Sequence, residues 1–71
     1  MYMIYNFGEY SFESGMFCCF DDAYHKAVFT SCENLVYVYV TRRKALIDLA
    51  KLRDMGYQHC YVVSISDWGR E

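Results

Sequence analysis

Residues Tyr2 to Phe7 are apolar on both sides of a strand's pleat, the pattern of a strand lying inside a sheet. Gly8 allows a bend, after which Tyr10 and Phe12 alternate with Ser11 and Glu13. Ser14-Gly15 then makes a two-residue turn into the apolar run Met16 to Phe20, which predicts a hairpin. At Asp21 the period changes. Phe20, Ala23, Tyr24, Ala27, Val28 and Cys32 recur at the spacing of one helical face, with Asp21 as N-cap and Asp22 in the first turn, and this predicts a first helix. A strand over Lys26 to Ser31, turning through Glu33-Asn34, is the competing reading of the same residues.

Leu35 to Val40, Leu-Val-Tyr-Val-Tyr-Val, is the strongest strand signal in the chain. Thr41 follows as an N-cap. Ala45, Leu46, Leu49, Ala50, Leu52 and Met55 then form an apolar stripe that ends at Gly56, the residue type that terminates helices, while Lys44, Asp48 and Lys51 mark the solvated side. Cys60 to Ile65 reads as a last strand, and residues 67–71 as a polar tail carrying Trp68.

This order predicts a single domain over residues 1–71 of the α/β (α+β) class: a two-layer sandwich in which two helices cover one face of a mixed sheet of four to five strands. The strand, helix, strand unit over 35–65 reads as a crossover between parallel strands. With Val36, Val38 and Val40 turned to the helices, strand alternation sends Leu35, Tyr37 and Tyr39 to the open face.

Composition gives that face a use. The chain carries Tyr 8, Phe 5 and Trp 1 in 71 residues, more rings than one small core can hide, so some lie on the surface and mark contact with a partner. An uncovered aromatic sheet face would also be the seam of any homodimer. A hydrophobic content of 55% and a net charge of only −2 exclude disorder. The charge is divided: residues 1–40 hold one cation against five acids, and residues 41–71 six cations against four acids. A dipolar chain of this kind is neither a DNA mimic nor a general nucleic-acid coat. The N-terminus has no basic residue ahead of a short apolar run, which predicts a cytoplasmic protein without a membrane span. In that compartment Cys18, Cys19, Cys32 and Cys60 are expected as reduced thiols.

Chemistry-bearing patterns are sparse. The cysteines and His25 include no Cys-x-x-Cys pair, which argues against zinc, and no local signature surrounds any cysteine as a nucleophile. Gly8, Gly15, Gly56 and Gly69 are too dispersed for a phosphate loop, so no cofactor is expected. The anomaly is Arg42-Arg43-Lys44, three cations in the first helical turn, where the helix dipole is already positive. They form either an anion receptor or a cluster neutralised by Glu33 or by Asp21-Asp22. Trp68 is either a plug folded back on the domain or a contact for a partner.

The Met1 start straight into a strand, the abundant tyrosine, the lack of proline and the small mixed domain resemble the small accessory proteins of T-even-type bacteriophages. That resemblance implies a non-enzymatic protein that docks on one host protein and modulates or inhibits it. On the residues, Tyr37, Tyr39 and Trp68 are the expected anchors and Arg42, Arg43 and Lys44 the charged rim, facing an acidic patch. The alternative is an RNA-binding module in which Tyr37 and Tyr39 stack bases and the cations hold phosphate.

Overall fold

The computed structural model describes residues 1–8 and 14–66; the Tyr10 to Glu13 arm of the expected first hairpin and the Trp68 tail lie outside them. Four strands, β1 (Tyr2–Asn6), β2 (Gly15–Asp21), β3 (Lys26–Thr30) and β4 (Cys60–Ser64), form one sheet in the order β3-β2-β1-β4. Every neighbouring pair is antiparallel. One helix, α1 (Arg42–Asp54), packs across β4 and β1. The α+β class therefore holds, with one helix among the described residues rather than two and an antiparallel rather than mixed sheet.

The helix expected over 21–32 is a hairpin arm, as the competing reading has it. Asp21 ends β2 opposite Lys26, and residues 22–25 turn between them with His25 in the left-handed region at φ 51°. Ala27 and Phe29 then face the core while Val28 and Thr30 face away, a period of two that the helical spacing of Ala23, Tyr24, Ala27 and Val28 masks. A bulge at Cys18, between the Phe17 and Cys19 pairings, absorbs one residue and keeps both Phe17 and Phe20 on the core side.

Residues 35–40 are extended but are not a strand of the sheet. A single 3-10 turn, Glu33–Leu35, precedes them. Strands β1 and β2 pair at Tyr5–Met16 and Asn6–Gly15 and then diverge. The chain enters the fork: Tyr37 N donates to Phe17 O at 2.9 Å, and Tyr39 exchanges hydrogen bonds of 2.8 and 2.9 Å with Tyr2. Since both this bridge and β4 are antiparallel to β1, residue 39 and β4 run parallel to each other with β1 between them. The crossover exists, but it spans a strand.

The core is Ile4, Phe17, Ala27, Tyr39, Ala45, Leu49, Leu52 and Cys60, ringed by Tyr2, Phe20, Phe29, Tyr57 and Val62. Helix α1 starts where Thr41 Oγ1 accepts from Lys44 N at 3.3 Å and ends at Gly56, whose φ of 103° suits glycine. The other sheet face is covered in part, since Met3 and Met16 are buried beside a hollow of about 260 Å³ that Val36, Val38 and Ile65 also line.

Candidate functional site

Position 39 lies opposite Tyr2, so its side chain shares the face of Tyr2 and Ile4, which is the helix face. The face assignment expected for residues 35–40 is therefore reversed. Tyr39 is 4% exposed and its hydroxyl donates to Asp48 Oδ2 on α1 at 2.6 Å. Burial, and then this bond to a carboxylate, raise the Tyr39 pKa, so the phenol stays protonated. Tyr39 is a core residue and not a surface anchor.

Tyr37 points the same way but lies farther out, 51% exposed, with its ring 4.7 Å from that of Tyr39 and 6.4 Å from that of Phe17. It remains presentable to a partner. Leu35, Val38 and Val40 are also exposed, at 59%, 40% and 68%. Residues 35–40 thus display four large apolar side chains within six positions, because the sheet takes up only the backbone of 37 and 39. That is a dense run of exposed apolar side chains for six consecutive positions.

Arg42, Arg43 and Lys44 follow at once, all exposed. Among the described residues the ion pair is Lys51 with Asp48, at 3.8 Å, and neither Glu33 nor Asp21 or Asp22 neutralises the three cations. Among the described residues the cluster has no carboxylate partner at the helix start, where it lies beside backbone N–H groups of the first turn. Leu35, Tyr37, Val38, Val40 and the three cations follow one another along the chain, with Tyr37 on the α1 side of the sheet and Val38 on the other, beside Met3 and Met16. Trp68 lies outside the described residues.

A second aromatic group had no signature in the sequence. Tyr5, Phe7 and Tyr61 meet on the sheet face away from α1, with ring centroids 4.7 Å (Tyr5–Phe7) and 5.8 Å (Phe7–Tyr61) apart, and Arg53 reaches round the β4 edge to lie 5.5 Å from the Tyr61 ring. Only the β1–β4 register, which sets Tyr5 opposite Tyr61, brings them together.

All four cysteines are free thiols. Cys60 is fully buried, and burial pushes its thiol up to about 11 against the opposing pull of Arg53. Cys19 is also raised, by desolvation and then by its neighbours Cys18 and Asp21. Both shifts disfavour the thiolate that nucleophilic catalysis needs. No group of three or more potential metal ligands occurs among the described residues. No helix among them is long and apolar enough to cross a membrane. Comparison of the chain with protein-family models, with curated proteins and with solved structures finds no match.

Proposed function

We propose that this chain is a non-enzymatic binding protein that docks on an acidic surface of another protein through residues 35–44. One observation carries the reading: an exposed apolar run, Leu35, Tyr37, Val38 and Val40, leads directly into three cations with no carboxylate partner among the described residues. An apolar centre beside a charged rim is the anatomy of a protein interface, the apolar part supplying affinity and the rim supplying on-rate and partner choice. The phage resemblance makes a host protein the natural target and inhibition or modulation the natural outcome. The burial of Tyr39 favours this over RNA binding, since it leaves Tyr37 without a second neighbouring ring as a stacking platform.

The test compares the wild type with two variants, Arg42→Gln/Arg43→Gln/Lys44→Gln and Val38→Ser/Val40→Ser, in affinity capture from host lysate at low and high salt, beside gel shifts with pooled RNA. The reading is supported when one protein is retained by the wild type, lost by both variants and released by salt. Retention equal across all three chains, or a salt-sensitive RNA shift without a protein partner, overturns it.

A further inference from the structure

The structure assigns a second interface: we infer that β4 is an open edge that pairs antiparallel with β4 of a second copy of this chain, about a two-fold axis through Val63. This does not depend on the docking surface at residues 35–40, which lies at the opposite side of β1.

The backbone fixes which groups are free. Ile65 N donates to Met1 O and Phe7 N to His59 O, both at 2.9 Å, and the intervening register pairs Met3 with Val63 and Tyr5 with Tyr61. In an antiparallel ladder these odd-numbered β4 residues turn their N–H and C=O groups to β1, so those of Cys60, Val62 and Ser64 point outward. The outward carbonyl of Cys60 accepts from Arg53 Nη2 at 3.2 Å. The arginine thus closes one end of the edge. The outward groups of Val62 and Ser64 have no backbone partner among the described residues.

Those two residues define one self-complementary register. Val62 of each copy pairs with Ser64 of the other, the outward N–H and C=O groups of both residues find partners, and the Cys60–Arg53 contact is left intact. Val63 then faces Val63 of the second copy at the axis, and Tyr61 faces Ile65 of the second copy, all on the sheet side away from α1. Nothing on the strand opposes this. Cys60 to Ser66 contains no charge and no proline, and β4 pairs with β1 without a bulge, so among the described residues Arg53 at the Cys60 end is what guards this edge. The other edge differs: β3 carries Lys26, and its Ala27 N–H is capped by the Tyr57 hydroxyl at 3.1 Å.

The helix adds to the seam. Arg53 marks the flank of α1 above the β4 edge, whereas Asp48, bonded to Tyr39, and Lys51, 6.0 Å from the Phe20 ring, mark the flank above β2. Ala50 and Leu46 stand three and seven residues before Arg53, hence on its flank, and both are exposed. The helix runs opposite to β4, since Thr41 follows the Tyr39–Tyr2 bridge at the Ser64 end and Arg53 reaches Cys60 at the other. Three strand residues rise about 10 Å, the length of about seven helix residues, so Leu46 stands level with Val63 and meets its own copy at the axis. Some ten residues a side is below the twenty to thirty of a standard interface, so the dimer is weak and concentration-dependent.

Sedimentation equilibrium over a concentration series, on the full chain, tests this. The wild type is expected to be a reversible dimer. Val63→Lys and Val63→Glu each place like charges face to face across the axis and should each weaken association at least about tenfold, while a mixture of the two restores it as a heterodimer. Leu46→Lys and Leu46→Glu form a second such pair, on the helix, should the strand variants fold poorly. A wild type that is monomeric at every concentration overturns the inference, as does a dimer that Val63→Lys and Leu46→Lys leave intact, or one that mixed charges fail to rescue. Association that appears only after residues 67–71 are removed overturns it too, since the tail would then be the native occupant of the edge.

Discussion

Replacing Tyr39 by Phe removes a single oxygen from the core and asks whether the hydroxyl ties the inserted segment to α1. The bond lost is a short one, 2.6 Å, to a carboxylate, a class worth about 1.5–3 kcal/mol. The Asp48 side chain is 22% exposed and lies 3.8 Å from Lys51 Nζ, so water and the ammonium recover part of its solvation once the phenol is gone. The expected cost is therefore at the lower end, about 1.5 kcal/mol. For a domain of this size that lowers Tm by about 6–12 °C. Thermal and urea unfolding followed by far-UV circular dichroism measures it, with an unchanged m value confirming that the native surface is preserved. Tyr37→Phe is the control: its ring is half exposed, and its loss of a hydroxyl should cost less than about 0.5 kcal/mol. In a double-mutant cycle, Asp48→Ala should add little to Tyr39→Phe. Equal stability of Tyr39→Phe and the wild type, or additive costs in the cycle, would refute the assignment of Tyr39 as the tie between segment and helix.

Stability should fall at alkaline pH. Cys60, raised from 9.0 to about 11, and Tyr39, raised above 10.0, hold their protons more tightly folded than unfolded, so their contribution is complete below about pH 9 and is lost as pH rises. Cys60 alone should account for about 2–3 kcal/mol between pH 9 and 11, and Cys60→Ala should flatten that limb of a pH series of urea midpoints. The Arg42→Gln/Arg43→Gln/Lys44→Gln variant should melt at or a few degrees above the wild type, because exposed cations at a helix start oppose its dipole; a marked drop by calorimetry would make the cluster a structural hub. Gly56→Ala should cost about 1–2 kcal/mol by urea titration through backbone strain at φ 103°, since an added Cβ meets nothing within 4 Å.

Local signals were decisive where one segment determines its own structure. The Thr41 cap, the apolar stripe and Gly56 bracket α1 because capping and helical periodicity are properties of consecutive residues. The apolar runs at 2–7, 16–20 and 60–65 likewise became β1, β2 and β4, each within two residues of the expected ends. Residues 21–32 show the limit of that logic. Phe20, Ala23, Tyr24, Ala27 and Val28 satisfy a helical spacing, yet Val28, Phe29 and Thr30 are residues that fit a pleated surface, and β2 offers a ladder for them. Pairing with a neighbour won over a pattern that only a helix with its own core contact could have used.

Residues 35–40 fail for a different reason, and that failure created the candidate site. Strand propensity says that a backbone will extend; it does not say that a partner will be present along its whole length. Here β1 and β2 stay paired for two residue pairs and leave a fork that accepts positions 37 and 39 only, so the rest of a strongly apolar segment stays outside the sheet. Alternation separated Tyr37 and Tyr39 from Val36, Val38 and Val40 correctly, but alternation cannot say which set meets the helix. That was decided by parity, through the one bridge that sets Tyr39 opposite Tyr2 on the face of Ile4. The same geometry that draws Tyr39 inward leaves Val38 and Val40 at the surface just ahead of Arg42, Arg43 and Lys44, which have no carboxylate partner among the described residues, and the proposed docking role rests on that adjacency.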